Sequence, residues 1–390
     1  MSTRAFLALL VLTVAGCANP SVRGGDVHLR EGRREGAEAA YRQAIARNPD
    51  DADAHFDLAE FLAGDVRAAE AIEHYERAQA LEARFKPKVA EARRRNLKIY
   101  NEDAERLIAE NLFSDADRVL DAAHVMVPGD GTTLFLQGRS REAQNDPAGA
   151  VEAYRLAAAK DPGSRERRLA LAGALTAFGE ARFEAGEYSQ SWDLLQEARR
   201  ADPDADLSYV EGTVAYALAK TAPEGERGRY LDAAAEAFTK YRRRHPDDTD
   251  AQFNLGAVLL AAERYQEAIE VYQSLLVDDP KDGDLYMVLS RAHSFAGEPR
   301  LAAVEEAIGH ALRGGDPVQD LPVWAGRAAA RFPGSDLASA YSRLAAPEAI
   351  HTYSPPGGAL VEVWFYWNRG LIYAFRDGGE VGTPLTLPRR

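Results

Sequence analysis

Cysteine occurs once in 390 residues, at Cys17, so no disulfide can form within the chain and packing alone must hold the fold. Methionine is nearly as scarce, with three, and arginine far outnumbers lysine. No apolar run is long enough to be a resident membrane helix. The best one, Ala5–Ala15, is about half of the ~20 residues a span needs. Positive charge is also short: Lys and Arg total 47 against 61 Asp and Glu, a formal net charge of −14. That balance argues against nucleic acid and against polybasic lipid binding. The motifs of common enzyme chemistry are missing too. There is no glycine-rich phosphate loop with lysine, no HExxH, no GxSxG and no clustered metal spacing. The eight histidines are scattered. No cofactor, metal or small-molecule substrate is expected, and no enzymatic activity.

What the chain does have is a repeating pattern, clearest from Asp250 to Pro280. Phe253, Leu255, Gly256 and Leu259 mark one helical face. Ala268, Ile269, Tyr272, Leu275 and Leu276 mark a second. Gly256 and Ala268 are small where two helix axes must pass closely, and Tyr272 fills the space beside them. Pro280 then stops the second helix, because proline lacks an N–H and pushes the preceding residue out of the helical region. Similar stops recur at Pro49, Pro128, Pro162, Pro203 and Pro246. Each has a small residue twelve positions before it and a large one eight before it: Ala37/Tyr41, Ala116/Leu120, Ala150/Tyr154, Ser191/Leu195, Ala234/Phe238 and Ala268/Tyr272. One unit, with Ala71, Tyr75 and Ala78, puts Ala83 in the stop position.

Pro128 to Pro162 and Pro246 to Pro280 are both 34 residues. This series resembles the tetratricopeptide repeat, a helix–turn–helix unit of about 34 residues. The resemblance implies a mainly α, right-handed α-solenoid in which each unit buries its face against its neighbours. The last unit, about Gly283–Arg313, keeps Tyr286, Leu289 and Ala302 but places Glu306 where the large residue belongs, as a terminal capping repeat would. His28 and His293 also occupy slots that normally hold a packed side chain. Two stop-to-stop gaps exceed one repeat by seven and eleven residues, close to whole helical turns. They predict long first helices at about Pro87–Glu110 and Arg165–Ala185, with Ser164 as an N-cap. A third gap exceeds it by nine, and the segment TAPEGERGR there reads as a loop.

The N-terminus reads MSTRAFLALLVLTVAGC. Arg4 before a short apolar run is the pattern of a signal peptide. Val14-Ala15-Gly16-Cys17 resembles the bacterial lipobox, which implies cleavage before Cys17 and lipidation of its sulfur. Cleavage at a nearby small residue, with plain secretion, is the alternative. Ala18 after the cysteine implies the outer membrane, facing the periplasm. NPSVRGGD would be a short tether. The clusters Arg33-Arg34, Arg93-Arg94-Arg95 and Arg242-Arg243-Arg244 read as solvated outer faces.

The repeat resemblance also implies a partner-binding groove lined by the first helix of each unit. Carried onto this sequence, the groove positions are Phe56, Asn101, Phe135, Thr176, Tyr209, Phe253 and Met287. Adjacent slots hold Glu60, Glu105, Arg139, Glu180, Phe183, Tyr216, Arg291 and Phe295. Such an aromatic surface suits a protein or peptide with apolar side chains. The alternative is that these rings pack between helices and meet no partner.

From Asp316 the pattern changes. Leu321–Arg331 and Ser335–Leu344 read as helices covering the end of the solenoid, with Trp324 packed there. After Pro347 the period becomes that of strands. Ala359–Trp367 and Leu371–Arg376 form a hairpin around Asn368-Arg369-Gly370, and a weak third strand is expected near Thr383–Leu387. Both faces of the first strand are apolar, so this meander must dock on the terminal helices or on a partner. Glu362-Val363-Trp364-Phe365-Tyr366, Gly370, Tyr373-Ala374-Phe375-Arg376-Asp377 and Gly379 resemble the end of the GWxTD-type domain of exported bacterial proteins. The expected organisation is a leader (1–16), a lipidated tether (17–25), a solenoid of about eight repeats (26–314), capping helices (315–346) and a β-rich tail (347–390). The expected function is a lipid-anchored protein-interaction scaffold. Two alternatives stay open: a solenoid spacer carrying a binding tail, and an enzyme site at the helix–β junction.

Overall fold

The computed structural model describes residues 20–387. The leader and Cys17 lie outside the described residues. Sixteen helices follow one another in eight consecutive pairs. The first four pairs are α1 (Pro20–Arg30) with α2 (Arg34–Arg47), α3 (Ala52–Gly64) with α4 (Ala68–Leu81), α5 (Phe85–Ala109) with α6 (Phe113–Met126), and α7 (Gly131–Ala143) with α8 (Pro147–Lys160). The second four are α9 (Arg165–Glu184) with α10 (Tyr188–Ala201), α11 (Ser208–Thr221) with α12 (Glu224–Arg244), α13 (Thr249–Ala261) with α14 (Tyr265–Asp278), and α15 (Gly283–Phe295) with α16 (Pro299–Gly314). The chain divides into two compact units. One runs to Phe178 and takes in Glu197–Pro203; the other comprises Gly179–Gln196 and Asp204 onward. In the first unit, α1, α3 and α5 each pack on their own partner helix and on the next first helix, and α7 packs on α8. In the second, α11 to α16 pack each on the next.

The boundaries have local causes. Asn48, Val127, Asp161 and Asp279 precede prolines and sit in extended backbone, with φ of −138°, −140°, −140° and −131°. Glu82, at φ −137°, ends α4 in the same way although Ala83 follows it. Asp51, Asp130, Asp146, Asp248 and Asp282 cap the next helix by accepting backbone N–H groups. Each such cap stabilises by about 1 kcal/mol. Except between α11 and α12, the turn inside a pair takes one left-handed residue. Gly32 supplies it without cost at φ +74°, whereas Val66 at φ +61° holds a strained conformation for a β-branched residue.

The two helices of a pair are pinned by a small residue against a large one sixteen positions later. Gly138 faces Tyr154 and Gly256 faces Tyr272, and Ala59 and Tyr75, at the same spacing, are buried in one cluster. All three rings are buried. A Cβ on Gly138 or Gly256 would lie 2.5 Å from the tyrosine ring. Gly212 is set against Phe238 in the same manner, at 2.9 Å.

Four readings of the sequence are corrected. TAPEGERGR is not a loop: α12 opens at Glu224, directly after Pro223 in extended backbone, and Glu224 and Glu226 favour the N-terminal dipole of its first turn. Residues 20–25, read as tether, already belong to α1, because Gly25 must lie flat against the Tyr41 ring. Helix α5 begins at Phe85, so Pro87 sits inside its first turn rather than at its first position. In the last repeat Glu306 is exposed, and the interior is filled instead by His293 and Glu305, 2.7 Å apart and almost wholly buried. Burial pulls the His293 imidazole down, but the Glu305 carboxylate, with Glu298 and a backbone hydrogen bond behind it, holds it above its ordinary value.

Past α16 the chain adds α17 (Leu321–Arg331) and α18 (Asp336–Leu344), with Ser335 capping the second. Strands β1 (Asp316–Pro317), β2 (Ala349–Tyr353), β3 (Val361–Tyr366), β4 (Leu371–Arg376), β5 (Gly379–Glu380) and β6 (Leu385–Thr386) form one antiparallel sheet ordered β1-β2-β3-β4-β5, with β6 also on β4. The sequence reading missed β1, β2 and β5. Gly370 takes φ +64° at the β3–β4 turn. The period-two pattern sorts the side chains cleanly. Val361, Val363, Phe365, Ile372 and Ala374 join the core of the repeats at α16. Trp364, Tyr366, Tyr373 and Phe375 pack with Ala325, Ala328, Leu337, Ala340 and Leu344 of α17 and α18. The sheet therefore docks within its own chain. Trp324 is partly exposed and donates Nε1–H to Glu362 at 2.9 Å.

Gly256→Ala is expected to destabilise the protein by about 1–3 kcal/mol through overpacking. Gly228→Ala, on an open stretch of α12 where a Cβ meets nothing within 4 Å, is expected to stabilise it by about 0.5–1 kcal/mol. Urea unfolding of the two variants measures both signs.

Candidate functional site: the first-helix face

The groove positions inferred from the sequence repeat one local arrangement. Phe56 lies against Tyr75 with ring centroids 5.7 Å apart, Phe135 against Tyr154 at 5.5 Å, and Phe253 against Tyr272 at 5.5 Å. Tyr209 meets Phe238 at 5.8 Å and Tyr241 at 5.2 Å. In each case a ring from the first helix rests on the buried ring that pins the pair, and it keeps its outer part open. Phe56 and Phe135 are half-buried, while Tyr209 and Phe253 are 38% and 37% exposed. Packing thus fixes each ring without hiding it.

Several pinning tyrosines are anchored at their far end by a carboxylate of the first helix. Tyr75 donates its hydroxyl to Glu60 and Tyr154 donates to Glu142, at 2.5 and 2.8 Å. Burial first, then these acids, push both phenols above their ordinary values.

In the first unit the face closes into a cavity of about 460 Å³ between α5, α7 and α9. Asn101, Glu105, Phe135 and Arg139 of the sequence-derived set line it, and Phe56 does not. Phe135 and Leu136 give it an apolar wall. Arg139 pairs with Glu105 at 3.0 Å. Asn101 is buried, accepts the Thr133 hydroxyl at 2.9 Å and donates to Asp130 at 3.4 Å, which orients its amide. Sequence reasoning missed Arg94, Lys98, Asp130, Glu166 and Arg167, which also line it. The signal was there for two of them. The lengthened α5 puts Arg94, Lys98, Asn101 and Glu105 on one stripe, at helical spacing.

Arg94 and Arg95 are exposed, as read, but the reading of Arg93-Arg94-Arg95 as one outer face is corrected. Arg93 donates to the Met126 carbonyl at 2.8 Å, Arg94 lines the cavity and Arg95 pairs with Glu60. These contacts arise because α5 is a first helix.

The remaining positions are not gathered into one place. Thr176 bonds its own helix at the Ala172 carbonyl, 2.9 Å away. Glu180 is exposed on α9. Phe183 lies against Tyr188 at 5.4 Å. Tyr216 carries the Lys220 ammonium at 4.0 Å, and Met287 lies against Gly309. Phe295 is the most exposed large apolar side chain described, at 53%. It stacks on Tyr265 at 5.6 Å and carries the Arg291 guanidinium, beside an open hollow of about 390 Å³ that includes Arg264 and Glu267. Among the described residues no three His, Cys, Asp or Glu side chains gather as metal ligands would, and no helix is long and apolar enough to cross a membrane.

Comparison with known proteins agrees with the repeat pattern. The sequence model of the tetratricopeptide repeat matches residues 22–94, 103–165 and 224–283, just over half of the chain. Over 323 residues, 73% of this chain, the sequence is 28% identical to the cellulose synthase 2 operon protein C of Komagataeibacter xylinus. The chain spans about a quarter (24%) of that relative's length. Among solved structures, MamA is 19% identical, with 47% of this chain and 91% of that chain covered at a TM-score of 0.32. YrrB, titled a repeat protein with an unusual peptide-binding site, is 15% identical, with 50% and 92% covered at 0.34. PilF of Pseudomonas aeruginosa is 19% identical, with 60% and 93% covered at 0.26.

Proposed function

The chain belongs to the tetratricopeptide repeat family, whose members generally mediate protein–protein interactions, and from that premise we propose that it is a non-enzymatic scaffold. Within each unit it holds protein partners on the first-helix side, and Cys17 anchors it by lipid in the envelope of a double-membraned bacterium. The observation that carries the first part is the arrangement of Phe56 and Phe135 in the first unit and of Tyr209 and Phe253 in the second, each ring fixed by a buried neighbour and each open on one side. Rigid aromatic side chains of this kind supply contact area at low entropic cost, which is what interface anchors need. The likeness to an operon protein of cellulose synthesis supports polymer export as the process served.

The lipid anchor rests on the leader and the lone cysteine. The segment resembling the GWxTD-type end is part of the sheet whose two faces are packed within the chain. That favours a role for the tail in closing the repeat stack over a role as a free binding element.

A photo-crosslinking amino acid placed at Phe135 or Phe253 in intact cells is expected to give discrete protein adducts, and one at Glu236 on the exposed side of α12 none. Equal labelling from all three sites would contradict the groove assignment. Cys17→Ser is expected to move the protein from the membrane fraction to the soluble fraction. An unchanged distribution would remove the anchor from the account and leave the groove standing.

A further inference from the structure

Two histidines of the second helix pair meet directly. His55 on α3 and His74 on α4 place their Nδ1 atoms 2.9 Å apart. The ring centroids are 5.1 Å apart, so the rings meet edge to edge rather than face to face. His55 is 7% exposed and His74 is half-buried. The other His55 nitrogen, Nε2, lies 3.1 Å from the Pro49 carbonyl. A carbonyl oxygen only accepts, so Nε2 carries the proton and Nδ1 of the neutral ring is left as an acceptor. His74 must then donate from its own Nδ1. With both rings neutral, this assignment alone satisfies both contacts.

We propose that His55 and His74 form an acid-operated latch, which holds α4 on α3 while at most one of the two rings is charged and opens when acid protonates both. A proton added to His74 goes to its Nε2 and leaves the Nδ1–H donor in place. A second proton has only the Nδ1 of His55 to go to, and that atom is the acceptor of the bond. With both rings charged every ring nitrogen is a donor, so the bond has no acceptor and two like charges face each other. Burial first, then His55, hold the His74 imidazole below its ordinary value. Arg42 of α2 pushes the same way and Glu70 of α4 opposes it, and these two are themselves an ion pair. Helices α5 and α6, which also pack on this pair, add no charged group to that set. Phe56 and Tyr75 follow His55 and His74 directly in the chain, and their rings are in contact. Opening the latch therefore loosens the ring that pins this pair. The latch stands whether or not Phe56 meets a partner.

The direction follows from linkage. In acid the closed pair binds one proton fewer than the same two histidines in the open chain, where a histidine has its ordinary value of 6.5. The stabilisation is therefore complete above about pH 6.5 and is lost as pH falls below it. One proton allows opening of α3 and α4 to increase by at most about tenfold per pH unit in that range.

Hydrogen exchange of the full chain, read by mass spectrometry at about pH 7.5 and about pH 5 and corrected for intrinsic rates, tests the latch. The α13 segment serves as internal reference. The expected result is a loss of α3 and α4 protection of about tenfold at the lower pH relative to α13. His55→Asn, whose amide oxygen accepts from His74 at every pH, is expected to flatten that dependence. Nitrogen NMR of the histidine-labelled wild type at about pH 7.5 is expected to show one protonated Nδ1 coupled across a hydrogen bond to an unprotonated one, and it decides the matter if His55→Asn folds poorly. Protection of α3 and α4 that is equal at both pH values in the wild type, a pH dependence that survives in a folded His55→Asn, or no pair of coupled Nδ1 atoms would overturn the proposal.

Discussion

The fold depends on how closely two helices approach within each pair. In several pairs a glycine on the first helix lets the second come near, and one large side chain, sixteen residues later at Tyr154 and Tyr272 and twenty-six at Phe238, fills the space that is left. Neither residue can change alone: a side chain at Gly138 or Gly256 meets a ring, and loss of the ring opens a cavity. Each pair is also too thin to bury its own apolar surface. The pinned hairpins must therefore stack, which is why the core runs from pair to pair within each unit and not around a single centre.

The same constraint makes the candidate site. A ring on the first helix that rests on a pinning tyrosine is held in place by the fold's own core, so Phe135 and Phe253 are anchored and yet open. Charge is arranged around this scaffold rather than buried in it. Most arginines of the first unit pair with acids on exposed faces, where each pair stabilises by about 1 kcal/mol or less. The buried exception is His293 with Glu305, which occupies the last repeat where the large residue is missing. The sheet then covers α16 with Val361, Val363 and Phe365, where a further repeat would otherwise have stacked.

Much of this was legible in the sequence because repeats multiply a weak signal. One small–large–proline pattern says little; six in register fix the helix pairs, and gaps of whole turns correctly place the long helices α5 and α9. The failures share a cause, which is reading one residue's habit without its neighbours. Pro223, Gly225 and Gly228 look like breakers, but a proline just before a helix is harmless and exposed glycines cost only about 1 kcal/mol each. The strand Ala349–Tyr353 is too short and too mixed to show a period, and only its pairing with β3 makes it a strand. Three adjacent arginines suggest one outer face, whereas an α-helix points them in three directions, so the exposed Arg94 lines the cavity while Arg93 and Arg95 reach other partners. Asn101 gave no hint that its amide would be fixed by Thr133 and Asp130 across the pair boundary.

If stability is passed only between neighbouring pairs, damage to one pin should stay local. Native-state hydrogen exchange on Tyr75→Ala is the most direct measurement of that claim. The account predicts lost protection in α3 and α4 and in the adjoining α2 and α5, with α13 to α16 unchanged. A uniform loss across the chain would mean a single cooperative core and would contradict it.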